Sequence, residues 1–496
     1  MKKLPLTILF TLFFTQILWA TPIEFTGGVY NKIEYKEVVF LSGEPIVFKG
    51  IVKIDEKEKG ESKETKYTFT LTPEDRNIPG RLSRSVTLKT EYAPYNDKGQ
   101  TIANTEVTRY TETVTIDGDN YRLTAGNVQF SQSDIIDNRP AIDFYDGNIE
   151  IFKYYTINNN EGTAQVKMTG KNVGYKNFWG NTETQSLDYV YTIDRIGEGE
   201  EVNNLSWEGT VNVQVSDSTM KVLKYSQNQA SMTTFNGGYI KTTTQEMVSK
   251  YTYNLPKKVD EGFDSYKRTQ NTMTLQASML PMVERLPVPK FRDIGGYWAQ
   301  RDIEKLYSLG VFDGSQTFFS PNTAMSRIDF VKAIVKSCDI KVQEEETKKR
   351  GGRNKKEVEE VIFLDVRSSD LNFPYVKEAY YRNIISGTDD YKFNPNGTIT
   401  KGEAITILMR TLGFESMAPT PGYKTSFSDD GKIPNWARDA IYMASEIGII
   451  GGDENNNINA QDKMKRGEAS AIINRFLEFL QKDLQKSYRE DIIYFN

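Results

Sequence analysis

From Thr21 to Met282 apolar and polar positions alternate along the chain. Ile46, Phe48, Val52 and Ile54 recur at even spacing, with Lys49 and Lys53 facing the other way. Leu187, Tyr189, Tyr191 and Ile193 repeat the pattern. So do Trp207, Val211, Val213 and Val215, with Glu208, Thr210, Asn212 and Gln214 between them. A period of two predicts strands with one buried face and one wet face. Turn signals separate the runs at Asp117-Gly118-Asp119-Asn120, Asp146-Gly147-Asn148 and Asn236-Gly237-Gly238. The charged stretch from Asp55 to Lys66 reads as a long exposed hairpin loop. Many short strands in series predict an all-β region of sandwich or barrel type. Its length suggests two domains, 21–140 and 141–285, divided near Arg139-Pro140.

Leu286-Pro287-Val288-Pro289 reads as a stiff, extended linker, and past it the apolar period becomes helical. Three copies of one unit follow, at 286–341, 361–414 and 425–480. Glycines after the first helix of each copy, Gly314, Gly387 and Gly452, lie 73 and 65 residues apart. Ser326, Thr400 and Lys465, at the start of the second helix, lie 74 and 65 apart. Two independent landmarks with the same spacing establish a repeat. Each copy opens on Phe-x-Asp, with Asp293, Asp365 and Asp429. Trp298-Ala299 and Trp436-Ala437 mark the first helix in copies one and three, and Leu371 stands at the Trp position in copy two. The second helix carries one apolar stripe: Phe330, Ala333, Ile334 and Cys338; Ala404, Ile407, Leu408 and Leu412; Ala469, Ile472, Ile473 and Leu477. A single unit cannot bury that stripe alone, whereas three packed together can.

These landmarks, in this order and three times over, resemble the S-layer homology (SLH) domain family. The family's Thr-Arg-Ala-Glu-like signature stands here as Ser326-Arg327-Ile328-Asp329, Thr400-Lys401-Gly402-Glu403 and Lys465-Arg466-Gly467-Glu468. The resemblance implies an all-α, pseudo-threefold unit behind the all-β region. It also implies grooves between repeats that bind a secondary cell-wall polysaccharide, often through a pyruvylated terminal sugar. The implied role is non-covalent anchoring of an exported protein at the cell wall.

Ser/Thr-x-x-acid is also a helix capping box, so Ser326 with Asp329 and Thr400 with Glu403 have a purely structural reading. Arg327, Lys401 and Arg466 add a second one. A cation at a helix start joins the exposed N–H groups and the positive dipole end to make an anion site. A guanidinium fork holds a carboxylate through two hydrogen bonds, which Lys401 cannot do. The candidate polymer-binding residues are therefore Arg327, Lys401 and Arg466, with Trp298 and Trp436 as sugar platforms and Gly314, Gly387 and Gly452 in the loops. Core packing is the competing reading of both tryptophans. Asp293, Asp365, Asp429, Asp329, Glu403 and Glu468 are expected to be structural. Ile328 replaces the family's small third residue and would crowd its groove. The insert from Glu344 to Glu360 reads as a solvated loop.

Composition narrows the chemistry. Lys and Arg number 62 against 67 acidic residues, for a net charge of -5, so no basic face marks a nucleic-acid partner. No histidine occurs, which removes His-based triads and bases and nearly all catalytic zinc sites. The single cysteine, Cys338, excludes an intrachain disulfide and reads as a buried apolar residue. Residues 1–20 have the layout of a signal peptide: Lys2 and Lys3, an apolar run from Leu4 to Leu18, and Ala20 near the cut. No later stretch has transmembrane length. The turns at Asp117–Asn120 and Asp453–Asn457 lack EF-hand spacing, so neither a metal nor a cofactor is expected. The β region reads as a structural or adhesive display module, also a candidate for self-assembly. The alternative is a wall-displayed polysaccharide-active enzyme working through a carboxylate pair. An outer-membrane barrel ranks last, because the strands lack a steady lipid-facing apolar band.

Overall fold

The computed structural model describes residues 35–95, 99–196, 205–226, 238–259, 262–286, 290–312, 316–340, 342, 361–388 and 391–482. The expected signal segment 1–20, the Pro287–Pro289 linker, Gly314, the insert 344–360 and Asn236-Gly237 lie outside the described residues.

Among the described residues, fourteen strands form one antiparallel sheet. They are β1 Tyr35–Val39, β2 Ile46–Lys59, β3 Ser62–Pro73, β4 Gly80–Tyr95, β5 Gln100–Ile116, β6 Asp119–Leu123, β7 Val128–Asn138, β8 Ile142–Ile157, β9 Gly162–Asn177, β10 Gly180–Arg195, β11 Trp207–Ser226, β12 Gly238–Val259, β13 Gly262–Ser278 and β14 Met282–Arg285. The order is a meander from β1 to β13, with β7 beside β5 and β8, and β14 beside β12. The sheet coils back on itself. Phe40, just past β1, packs on Tyr191, Tyr251 and Tyr253, and Glu44 pairs with Lys258 at 2.8 Å. The alternating apolar residues of nearly every strand then share one core, from Tyr35 to Leu275.

Three expectations change here. The division at Arg139-Pro140 separates no sheets: β7 and β8 pair along eleven registers from Val128↔Lys153 to Asn138↔Asp143, and one core spans both sides. Pro140 instead marks the crossing between two neighbouring strands. The stretch from Asp55 to Lys66 is not a loop but the outer half of the β2–β3 hairpin, paired out to Lys59↔Ser62. Asp146-Gly147-Asn148 is not a turn but lies inside β8. The Asp117-Gly118 turn stands as expected, with φ of 49° and 94° closing β5 onto β6.

Among the described residues the C-terminal region has six α-helices: α1 Gln300–Ser308, α2 Arg327–Ser337, α3 Phe373–Tyr381, α4 Lys401–Leu412, α5 Asn435–Glu446 and α6 Arg466–Lys482. The apolar stripes of α2, α4 and α6 are buried in one core, as their spacing requires. That core continues into the sheet through Ala141, Ile142, Tyr175 and Trp179. Ala141 donates its N–H to Thr411 O at 3.0 Å, Asn177 Nδ2 donates to Leu480 O at 3.2 Å and Gln481 Nε2 donates to Lys221 O at 2.8 Å. Sheet and helices therefore share apolar surface as well as hydrogen bonds. Cys338 is buried, and burial raises its thiol to about 12, which leaves it unreactive.

Candidate functional site

The Phe-x-Asp aspartates shape the loop of each repeat. Asp293 accepts the N–H groups of Phe319 and Ser320 at 2.8 and 2.6 Å. Asp365 accepts those of Phe393 and Asn394 at 2.9 and 2.7 Å. Asp429 accepts those of Ile458 and Asn459, both at 2.9 Å. Ser320, Asn394 and Asn459 have φ of 57°, 57° and 52°, a left-handed turn that the carboxylate stabilises. Replacing Asp429 with alanine leaves two N–H groups without acceptors, one of them buried. The expected cost is about 2 kcal/mol, read from the urea unfolding midpoint.

The next residues start the second helices. Ser326 Oγ accepts the Asp329 N–H at 3.2 Å. Thr400 and Glu403 make a complete capping box. Lys465 has no capping hydroxyl, yet Glu468 still accepts the Lys465 N–H at 2.8 Å. The first helices end on left-handed residues: Gly310, Asn383 and Gly448, with φ of 74°, 57° and 72°.

Each second helix packs on the first helix of another repeat: α2 on α3, α4 on α5 and α6 on α1. Hydrogen bonds follow the same path. The N–H groups of Ile328, Gly402 and Gly467 donate to Pro395 O, Ala460 O and Pro321 O at 3.1, 2.7 and 2.9 Å. Contacts thus run from repeat one to two, from two to three, and from three back to one.

The three cations lie on these seams, in different states. Arg327 is only 6% exposed. Its Nε donates to Phe393 O at 2.9 Å, its Nη1 meets Glu403 Oε1 at 2.6 Å, and its guanidinium lies over the Phe393 ring. This arginine is built into the seam. Arg466 makes the matching bond to Phe319 O at 2.9 Å but is less buried, and it holds Asp329 only at 3.8 Å. Lys401 reaches Glu468 at 3.4 Å without a carbonyl bond of that type. Glu403, Glu468 and Asp329 are therefore partners of the three cations as well as capping residues.

The aromatic positions divide the seams further. Trp298 and Trp436 are 63% and 53% exposed, so neither is a core residue, while the alanines after them are fully buried. At the seam of repeats two and three, the Trp436 ring flanks Gly402, with Ala437 behind it. At the seam of repeats three and one, Gly467 fits against the ring of Tyr297, and a Cβ there would overlap it. Tyr297 stacks obliquely beside Trp298 at 5.6 Å and donates its hydroxyl to Asn322 Oδ1 at 3.3 Å. The seam of repeats one and two has the larger Ile328 at the glycine position and the exposed Leu371 ahead of α3. Gly387 is half-buried and Gly452 exposed in their loops, away from these ring contacts. Sequence reasoning missed Tyr297 and Asn322. The aromatic pair Tyr297-Trp298 was the available signal for the first of them.

Within the sheet, Trp179 and Trp207 are buried, so they form no sugar platform. The inner face carries a carboxylate pair, Glu37 and Glu112. Arg84 grips Glu37 with both Nη atoms at 2.9 Å and donates Nε to Glu112 at 2.6 Å. The hydroxyls of Tyr35, Tyr110 and Tyr155 complete the network at 2.9, 3.0 and 3.1 Å. It borders an interior cavity of about 70 Å³. Burial opposes ionisation of Glu112, but Arg84 and Lys153 outweigh it and hold the carboxyl at about 2. A general acid needs the opposite shift. Asp453 spends Oδ1 on the N–H groups of Asn455 and Asn457, both at 2.9 Å, which is turn chemistry.

Comparison with known proteins agrees with this division of the chain. The S-layer homology domain model matches residues 290–331, 362–405 and 426–470. An amylopullulanase of Thermoanaerobacterium thermosulfurigenes is 31% identical over 213 residues, 42% of this chain and 11% of its own length. The exoglucanase XynX of Acetivibrio thermocellus is 32% identical over 195 residues, 38% of this chain and 16% of its own. A surface-layer 125 kDa protein of Lysinibacillus sphaericus is 21% identical over 225 residues, 45% of this chain and 17% of its own. The stretches matched by the amylopullulanase and the exoglucanase fall mainly on the S-layer homology regions, and the chain spans less than a fifth of each of these three relatives.

Proposed function

We propose that this chain, which carries three S-layer homology domains within residues 290–470, is an exported protein that those domains hold on a secondary cell-wall polysaccharide. In this reading the domains form a pseudo-threefold ring, and the coiled sheet is a structural or adhesive region displayed from it. The carrying observation is the pair of seams at Gly402–Trp436 and Gly467–Tyr297, where a motif glycine lets an aromatic ring pack close beside a cation while Trp436 and Trp298 stay exposed. A sugar ring stacks on such a face, and an acidic substituent, such as a pyruvate ketal, pairs with Lys401 or Arg466. The seam of repeats one and two is assigned no ligand, since Ile328 fills it and Arg327 is already committed. No helix among the described residues is long and apolar enough to cross a membrane, and this reading needs none.

The relatives named amylopullulanase and exoglucanase favour the enzymatic alternative only weakly, because their likeness falls mainly on the anchor. The sealed state of Glu37 and Glu112 argues against a glycosidase pair there. We therefore assign no catalysis to the sheet.

The test is co-sedimentation of the full chain with purified cell walls, before and after chemical removal of the secondary polymer. Binding is expected to require the polymer. Trp436→Ala and Trp298→Ala are each expected to weaken it about tenfold, the loss of roughly one stacking contact of 1–2 kcal/mol. Binding that survives on stripped peptidoglycan, or that ignores both substitutions, would overturn the assignment.

A further inference from the structure

Where β8 to β12 approach the helices, the inward side chains change from apolar to polar. Asn172, Glu183, Gln185, Asp217 and Gln245 are each at most 4% exposed. Tyr145 donates its hydroxyl to Glu183 Oε2 at 2.9 Å, and Gln185 Nε2 donates to Glu183 Oε1. Gln245 Nε2 donates to the Asp217 carboxylate at 3.2 Å, and Gln132 Nε2 donates to Asp134 Oδ2 at 2.8 Å. Gly147 makes this arrangement possible. A Cβ there would collide with Asp134 Oδ1 and Asn172 Oδ1, which crowd the same point.

The charges in this chamber do not balance. The groups acting most strongly on Glu183 are Gln185, Tyr145, Asp134 and Asp217, and those on Asp134 are Asn172, Gln132 and Asp146; none is a cation. From β2, β3 and β4 across the interior come Glu56, Glu58, Lys63, Tyr67 and Tyr92, and Lys63 is paired with Glu56 at 2.7 Å. Three buried oxygens have no hydrogen-bond partner: Asp134 Oδ1, Asn172 Oδ1 and Gln245 Oε1. All three are acceptors, so what the chamber lacks is donors. A proton is the smallest donor that fits, and on Asp134 it converts one of two crowded acceptors into a partner for the other. Burial acts the same way, raising Glu183 to about 8 and Asp134 to about 6.

The strands that line the chamber run on to the junction with the helices. Glu183 is on β10, which begins at the hairpin whose Asn177 bonds Leu480 of α6 and whose Trp179 enters the helical core. Tyr175 on β9 joins the same core and accepts a hydrogen bond from Thr182 of β10 at 3.4 Å.

We propose that Asp134 and Glu183 form a proton-loaded latch within the sheet, which keeps the polar chamber of β7 to β12 packed while protonated and loosens it as the medium turns alkaline. Both groups have folded values raised above their ordinary ones. Their stabilisation is therefore complete below the unfolded carboxylate range and is lost as pH rises through the folded values, up to about 8. The test is urea unfolding of the full chain at about pH 5, 6.5 and 8.5. The wild-type midpoint should fall steadily across this series, and an Asp134→Asn, Glu183→Gln double variant should flatten it. A wild-type midpoint that stays level or rises, or a double variant that keeps the wild-type slope, would overturn the latch. Infrared spectra of the wild type give a readout that needs no variant. A protonated-carboxyl carbonyl band should be present near neutral pH and vanish at about pH 9, and its absence near neutrality refutes the proposal.

Discussion

Replacing Arg84 with alanine is expected to destabilise the sheet by on the order of 3–5 kcal/mol, because it strands two buried carboxylates at once. Arg84 is 7% exposed, and Glu37 and Glu112 are 8% and 3% exposed. Its three donors bridge β4 to β5 and to β1, the strand at one end of the meander. Urea unfolding followed through the sheet's tyrosines would read the loss. Adding Glu37→Gln and Glu112→Gln to Arg84→Ala should recover part of it, since neutral amides cost less to bury than unpaired carboxylates. A cost near that of a surface substitution, or no recovery in the triple variant, would mean that solvent reaches the network. The network also sets the acid limit. Glu112 is depressed to about 2, so its stabilisation is present above the ordinary carboxylate range and is lost as pH falls through that value. Together with the polar chamber of β7 to β12, this places greatest stability in mildly acidic medium, between the two titrations.

That network shows where sequence reading stops. Arg84, Glu37 and Glu112 are 28 and 47 residues apart, and nothing local marks them as partners. The hairpin of β2 and β3 was unreadable for another reason. In its outer half β2 is exposed on both faces, and the residues β3 buries there, Lys63 and Thr65, are polar, so no apolar period of two marks the strand. Gly147 looked like a turn because Asp-Gly-Asn usually is one, whereas here the missing side chain makes room for Asp134 and Asn172. The meander's continuity across Arg139-Pro140 depends on pairing that composition does not encode. The helical region was legible because a 3.6-residue stripe, a capping pair and a left-handed stop are all local signals. Repetition multiplied each signal by three. What repetition could not say is which repeat each cation reaches, and that decides its role.

Arg327 and Arg466 occupy equivalent motif positions, yet opposite outcomes are expected from substituting them. Arg327→Ala removes a buried ion pair to Glu403 and the bond to Phe393 O, so the helical unit should lose on the order of 3 kcal/mol. Its loss of wall binding should then follow from unfolding and should recover at lower temperature. Arg466→Ala should cost about 1 kcal/mol of stability, since the side chain is only partly buried and Asp329 lies at 3.8 Å. It should weaken binding roughly tenfold at every temperature where the protein is folded, because it removes the better placed of the two cations at the open seams. Unfolding midpoints and co-sedimentation on the same samples separate these effects. If Arg327→Ala stayed fully stable and still lost binding, the first seam would also take ligand, and the limit that Ile328 and Leu371 place on it would be wrong. If Arg466→Ala lost stability as severely as Arg327→Ala, the basic residues of all three motifs would be struts, and recognition would rest on the aromatic faces alone. In the expected case one repeated motif has divided its labour: one copy fastens the helical unit, and two leave a cation beside an exposed aromatic face for a sugar.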